Sequence, residues 1–463
     1  MNTKVNSCLF RIFAHIAEKI RKRKISLIKI AKFSRTVMGK PQIYFANMGH
    51  GEAIAFELNG QWYLRDFGEY SGKPSTEARC YVKKLLQRSD QSKCVFQTLL
   101  SGKTHWNAIV SHSHRDHFSG FEKIFNNALE KGHLPKKIFN TSYLPLVYIG
   151  NNDAANYSCL VEGNVLLASF LLTDEEQNNS AMSFLKSDVI MAALSDKLIY
   201  CSSKLPTPKP FNAVYCPLTS ASSDSYERLL EIQLFLDQFY DEYFSTENDR
   251  ASVRENVKKI QEILGKYHKT SNGVISVSFE DAKSDIESID KAIENNKKYT
   301  KKNFNFEKLP QNIKNILDDC SLAFDVYLAE KSKWLFLGDN NDAVLNVALP
   351  ENIKYDGVKT SHHGTRGARV LIRKNITSDV LIACVGHEND KFNPIEDDYA
   401  KKGIISIGVP PDDVKFSNQG GMIKRITCLK YENRDSTSCG REPYCLLDGK
   451  GSKQECLACK ICR

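Results

Sequence analysis

His112-Ser113-His114-Arg115-Asp116-His117 is the stretch on which the reading of this chain turns. It places four metal-ligand side chains within six positions, in a sequence of 463 residues that holds only eleven histidines. The residues just before it, Trp106 to Val110, are apolar and read as a strand that ends at Ser111-His112. Loops carried on a rigid sheet are where chemistry concentrates. Strand alternation would send His112 and His114 to one face, and past the strand end the chain can turn Asp116 and His117 toward a second position. The segment divides naturally into two imidazoles for one cation and a carboxylate with an imidazole for another. Imidazole suits Zn, Fe or Ni, and an added carboxylate admits Mn. The alternative is a chance cluster on a solvated loop, which the scarcity of histidine elsewhere disfavours.

Two later segments extend the pattern. Trp334-Leu335-Phe336-Leu337-Gly338-Asp339 is an apolar strand ending in Gly-Asp. A carboxylate there can bridge two cations, and glycine permits close backbone approach. Val358-Lys359-Thr360-Ser361-His362-His363-Gly364 sets paired histidines after another short strand. Each is a weak signal alone, whereas the three segments together supply ligands for two metals.

The order of these segments resembles the metallo-β-lactamase superfamily, and is most similar to the soluble hydrolase domain of bacterial competence (DNA-uptake) proteins and its free-standing relatives. Met48-Gly49-His50-Gly51-Glu52-Ala53 resembles that group's Val-Gly-Gln-Gly-Asp-Ala turn, and Leu64-Arg65-Asp66-Phe67-Gly68 its strand ending in Asp-x-Gly. The histidine-rich segment, continued by Phe118-Ser119-Gly120, is similar to the Thr-His-x-His-x-Asp-His signature. Asp319-Cys320-Ser321-Leu322 resembles Asn-x-Ser-Leu, and His362-His363-Gly364-Thr365 resembles His-His-Gly-Ser. The match spans roughly residues 42–120 and 315–427.

The resemblance implies an α/β fold, the αββα metallo-β-lactamase sandwich, with metals at one edge between two sheets. It implies that His112 and His114 hold one metal, Asp116 and His117 the other, and that Asp339 bridges. His362 or His363 would complete the second site, its neighbour contacting substrate, and Asp66 would orient a ligand histidine from behind. The implied catalytic residues are thus Asp116, His362, His363 and Asp66. Two departures stand out. The family's third histidine of the first site has no counterpart, since His133 precedes no suitable strand and His268 falls in a helical region. Relatives also tend to carry His-Pro where this chain has Asn393-Pro394, with His387 nearby.

Two divalent metals, Zn or Mn, would make hydroxide available near neutral pH by bridging a water. The expected function is a metal-dependent phosphodiesterase or nuclease. His362, His363 and, more weakly, Lys359 would stabilise a phosphate oxyanion. A different class of function is a catalytically impaired binding or signalling module of the same fold.

The bulk composition, 41% hydrophobic and 26% charged, is that of an ordinary globular protein. The net charge of +9 resides at one end: residues 1–40 hold eleven Lys or Arg and a single acid, Glu18. The remainder carries 53 basic against 54 acidic residues. Its near-neutrality argues against tight non-specific binding of long duplex nucleic acid, which needs many cationic contacts. Short oligonucleotides, nucleotide signals and small phosphoesters stay open as substrates.

Residues 9–35 form a basic amphipathic pattern suited to a membrane surface or a partner, or to packing on the body with a solvated basic face. No apolar run of about 18 residues predicts a transmembrane segment. The charged N-terminus does not read as a secretory signal, so the expected location is cytoplasmic.

The expected organisation is a basic segment over 1–40, a metallo-β-lactamase-like domain over 41–427, and a Cys-rich tail over 428–463. Within the domain, a helical insertion is expected at about 225–310, with Tyr226–Tyr243 and Ser252–His268 its clearest helices. Val165–Leu171, Val189–Ala193 and Lys197–Cys201 read as strand-like pieces, as do Leu322–Leu328, Val380–Val385 and Ile404–Ile407. In the tail, Cys439, Cys445, Cys456 and Cys459 are spaced for a possible structural Zn site, with free thiols in a disordered tail as the alternative.

Overall fold

The computed structural model describes residues 42–45, 51–68, 105–126, 134–141, 161–166, 168–169, 175–194, 197–201, 206–215, 234, 236–240, 242, 244, 246–268, 278–299, 318, 321–329, 332–384, 396–401, 404–407, 412–419 and 422–430. The basic segment, residues 431–463 of the cysteine tail, His133, His387 and Asn393-Pro394 lie outside them, while residues 428–430 end a strand.

Among the described residues, fourteen strands form two mixed sheets. The first contains β1 (Gln42–Phe45), β2 (Ile54–Leu58), β3 (Gln61–Arg65), β4 (Trp106–Val110), β5 (Ile138–Thr141), β6 (Leu198–Cys201), β13 (Asp412–Gln419) and β14 (Met422–Lys430). Their spatial order is β14-β13-β1-β2-β3-β4-β5-β6, antiparallel up to β3 and parallel from β3 to β6. The second contains β7 (Ala213–Tyr215), β8 (Ala323–Ala329), β9 (Ser332–Phe336), β10 (Lys354–Lys359), β11 (Thr377–Cys384) and β12 (Ile404–Ile407). It runs in the order β12-β11-β10-β9-β8-β7, parallel from β12 to β9 and antiparallel beyond.

Side-chain alternation sorts the central strands between two cores. Ile54, Phe56, Tyr63 and Ile109 of the first sheet share a core with Phe324, Trp334, Phe336 and Ile382 of the second. Phe56 stacks on Phe336 with ring centroids 5.8 Å apart, so the sheets meet face to face. Ala55, Leu64, Trp106, Ala108 and Val110 point the opposite way, toward α1 (Arg115–Asn126), α2 (Glu175–Ala193), α3 (Glu247–His268) and α4 (Phe279–Lys297). Leu335, Leu337, Val358, Leu381 and Ala383 point to the outer side of the second sheet. They meet α5 (Asp342–Ala348), α6 (Ala368–Arg373) and α7 (Asp397–Lys401) there. The described part of the chain is an α/β arrangement of helix, sheet, sheet and helix layers. β4 and β9 have apolar side chains in cores on both faces, which is why Trp106–Val110 and Trp334–Phe336 read as nearly continuous apolar runs.

Two expected strand pieces are helical. Residues 161–166 and 168–169 are helix, and Val189–Ala193 is the last part of α2. Ala181, Phe184, Leu185, Val189 and Ile190 are buried at helical spacing, a period that a five-residue apolar run cannot display. In the region 225–310, α3 begins at Glu247, ahead of the expected Ser252. Val253, Val257, Ile260 and Leu264 of α3 pack with Ala282, Ile286, Ile289 and Ile293 of α4 over the first sheet, each set forming one apolar stripe. Ser278 caps α4 by accepting the Asp281 N–H at 3.0 Å.

Candidate metal centre

Four strands deliver their C-terminal ends to one place. β3 leads into Asp66, β4 into Ser111-His112, β9 into Leu337-Gly338-Asp339 and β10 into Thr360-Ser361, two strands from each sheet. A backbone bond from Leu322 N to Ser111 O, 2.9 Å, ties the sheets beside this point. Residues 111–114 are not strand, and Asp116 and His117 occupy the first turn of α1. That helix is anchored by Phe118, Phe121 and Ile124 in the core, so its first turn presents the two ligands at a fixed height. At Gly338, φ is +62°, and a Cβ there would lie 2.7 Å from the Cβ of Ser321. Only glycine allows this turn into Asp339. His362 and His363 also lie in the left-handed region, at φ 41° and 56°. Such a conformation is costly for a non-glycine residue and is retained at functional sites. It splays the pair: His363 points inward, while His362 is 27% exposed.

The ligand atoms form two adjoining groups. In one, Asp116, His117, Asp339 and His363 converge and are all buried. His363 Nε2 is 3.0 Å from Asp116 Oδ2, and His117 Nε2 is 3.1 Å from Asp339 Oδ2. In the other, His112, His114 and Asp318 converge. His112 Nε2 faces His114 Nδ1 at 3.0 Å, and Asp318 Oδ1 is 3.1 Å from His114 Nδ1. Asp339 Oδ2 is 3.8 Å from both His112 Nε2 and His363 Nε2, so it stands between the groups. His362 joins Asp318 and Asp339 in a third overlapping group. Of the alternatives His362 and His363, it is therefore His363 that stands with Asp116 and His117.

Surrounding groups set the histidine tautomers. Asp66 accepts Ser111 N–H and Ser111 Oγ–H, each at 2.7 Å, and faces His117 Nδ1 at 2.9 Å. Because Ser111 Oγ gives its proton to Asp66, it can only accept from His112 Nδ1, which lies 3.0 Å from it and 2.8 Å from Ser321 Oγ. His363 Nδ1 donates to the Cys384 carbonyl at 2.6 Å. Thr365 Oγ1 donates to the His362 carbonyl and therefore accepts from His362 Nδ1 at 2.9 Å. His112, His362 and His363 are thus held with Nε2 lone pairs directed into the cluster of ligand atoms, and Asp66 engages the Nδ1 side of His117. This is how proteins orient metal-binding imidazoles.

Electrostatics match. Burial opposes charge on His117, but Asp339, Asp116 and Asp66 outweigh it and raise its pKa to about 10. His112 moves the other way, lowered to about 3 by burial and by the neighbouring His117 and His114. Burial lowers His362 to about 4. Against the effect of burial, His362, His114 and Arg366 bring Asp318 to about 2. His117 chiefly overcomes the burial of Asp339 and holds it well below the usual carboxylate range. The centre is a buried set of ionised carboxylates and imidazoles. His117 Nε2, Asp318 Oδ1 and Asp339 Oδ1 are buried without a hydrogen-bond partner among the described residues. Orphaned ligand atoms at such spacing fit cations well, since metal–nitrogen bonds of about 2.0–2.1 Å leave neighbouring ligand atoms roughly 3 Å apart.

Beneath the ligands lies a buried ionic network. Glu52 pairs with Arg65 through one oxygen and with Lys359 Nζ, 2.5 Å away, through the other. Arg65 also reaches Asp66 Oδ2 at 3.1 Å. Glu52, Arg65 and Lys359 are each 0% exposed. This corrects the expectation that Lys359 stabilises a substrate oxyanion: it faces inward, bound to Glu52 and to the Thr360 carbonyl. Burial lowers its pKa.

The structure thus brings together His112, His114, Asp116, His117, Asp339, His362 and His363, with Asp66 behind His117. Cys439, Cys445, Cys456 and Cys459 fall outside the described residues. Sequence reasoning missed Asp318 and Glu52 as partners of the centre. The signal for Asp318 was an acidic pair directly before the Cys-Ser-Leu that opens β8; for Glu52 it was an acid in a glycine turn. No known family profile matches the chain, and no curated protein matches it.

Proposed function

We propose that this chain is a two-metal hydrolase of the metallo-β-lactamase type, with phosphoesters, and phosphodiesters in particular, as its substrate class. The observation that carries the reading is the convergence of Asp116, His117, Asp339 and His363 beside His112 and His114 at the ends of four strands. The helix, sheet, sheet and helix layering and the His-x-His-x-Asp-His signature agree with that likeness.

In this reading Asp116, His117 and His363 would hold one cation and His112 and His114 the other, with Asp339 shared by both sets of ligand residues. Divalent cations held there, Zn or Mn, would lower the pKa of water and offset negative charge developing on a phosphoryl group. The chain's own residues do the rest. Asp66 and the Cys384 carbonyl fix the rings of His117 and His363. Asp116, whose Oδ2 faces His363, is placed to hold a proton of an attacking water. His362 borders the centre at 27% exposure, with Nε2 directed inward, and can donate to or accept from a phosphoryl oxygen. His114, at 19% exposure, lines the same accessible side. The near-neutral body favours short or small phosphoesters over long duplex. We also read the cysteines of the tail as a separate structural Zn site.

The test uses the full chain. Metal content is measured after purification, and turnover is screened on bis-p-nitrophenyl phosphate, cyclic nucleotides and short oligonucleotides with added Mn or Zn. The expected result is bound metal and hydrolysis that His114→Ala with Asp339→Ala abolishes while circular dichroism stays unchanged. Bound metal without turnover on any phosphoester would contradict the catalytic reading.

A further inference from the structure

The group containing His112 and His114 holds only two imidazoles, yet a third donor is already in place. Asp318 is buried, its backbone carbonyl accepts Ser321 N–H at 2.9 Å, and its two carboxylate oxygens face different partners. Oδ1 lies 3.1 Å from His114 Nδ1 and 3.8 Å from His112 Nε2, and accepts no well-formed hydrogen bond among the described residues. Oδ2 accepts Arg366 Nη1–H at 3.0 Å. The same Nη1 reaches the Asp339 carbonyl at 3.3 Å, so one guanidinium nitrogen touches both acidic segments. The backbone of Arg366 is itself pinned: its carbonyl accepts the Tyr399 hydroxyl at 2.9 Å, and Arg366 bridges Ser361 in a short antiparallel pairing.

We infer that Asp318 completes the first metal site through Oδ1, and that Arg366 is the positioning residue that holds Oδ2 and thereby presents Oδ1 to the cation. This rests on the two-metal reading above. The division of labour mirrors the second site, where Asp66 holds the far side of His117. A planar guanidinium is suited to the task, because it stays charged and fixes a carboxylate's orientation as a flexible ammonium does not. The consequence is a first site of two imidazoles and a carboxylate, in place of three imidazoles.

Stepwise Co(II) titration of the full chain, followed by visible absorption and by competition with a chromophoric chelator, tests this. Wild type is expected to take up two ions at these groups, any further ion on the tail thiolates being told apart by its thiolate charge-transfer absorption. Asp318→Asn, nearly isosteric, is expected to keep the second-site ion and to bind the first at least about 100-fold more weakly, and Arg366→Met to weaken the first ion by about 10–100-fold, with Arg366→Lys recovering part of the loss. Should Asp318→Asn fail to fold, the Arg366 pair carries the test. Asp318→Asn binding both ions at wild-type affinity overturns the inference and leaves the two-metal reading standing. A wild-type chain that binds no ion at these groups overturns both. An Arg366→Met variant with unchanged metal affinity but a raised KM overturns the positioning role, since Arg366 would then contact substrate.

Discussion

Replacing Lys359 with Met removes the cation that the second sheet extends to Glu52, on the first. All three members of the Glu52, Arg65 and Lys359 network are 0% exposed, so solvent cannot compensate the loss. At ionic contact and an effective dielectric of about 20, a pair of this kind attracts by roughly 5 kcal/mol. Desolvating the ammonium offsets much of that in the intact protein, so the pair's net contribution is small. Removing one partner is different: Glu52 is left sharing Arg65 with Asp66, and the variant is expected to lose about 3–5 kcal/mol. Glu52→Gln leaves two buried cations facing each other and is expected to lose a similar amount. The double variant removes both charges and should recover about 1–3 kcal/mol relative to the sum of the single losses. Equilibrium urea unfolding in the presence of a chelator measures all three without a contribution from metal binding. Single variants within about 1 kcal/mol of wild type, or strictly additive losses, would refute the argument. So would a Lys359→Met variant of normal stability and metal content with reduced turnover, which would return Lys359 to a substrate role.

Two further outcomes follow from the geometry. A methyl group at Gly68 would collide with the Asp116 carbonyl and the His117 nitrogen, so Gly68→Ala should displace the first turn of α1. The expected cost is about 1–3 kcal/mol in thermal or urea unfolding, with loss of second-site metal affinity, and unchanged metal uptake would contradict it. His117, raised to about 10, is protonated near neutral pH in the metal-free protein and must shed a proton to ligate. Affinity for the second-site ion should therefore climb about tenfold per pH unit from this group until pH passes roughly 10. Calorimetry at one pH in buffers of different ionisation enthalpy should register the released proton, and identical heats in all buffers would contradict the assignment.

Much of the centre was legible because its ligands sit at the ends of short apolar strands. Trp106–Val110 and Trp334–Leu337 announce themselves by composition, and the polar residues that follow them have no packing reason to be histidine or aspartate. The choice between His362 and His363 was not legible, because it depends on left-handed φ values that a sequence does not display. Asp318 was hidden for another reason: an acidic pair in a charged stretch looks solvated, and only the pairing of β8 with β9 and the bond from Leu322 to Ser111 carry it to His114. Lys359 misled in the same way, since its partner Glu52 lies on the opposite sheet. The strand readings at 165–171 and 189–193 failed because short apolar runs fit buried helix and buried strand equally.

The most direct test of the account is the difference in bound metal between wild type and Asp339→Ala, measured by elemental mass spectrometry on the full chain after equilibration with Mn or Zn. Comparing the two proteins cancels any ion held by the cysteine tail. The account predicts that wild type carries two more ions than the variant, or one more where a single site survives, in a variant that remains folded. Equal metal content in the two proteins would contradict a metal centre built on Asp116, His117, Asp339 and His363.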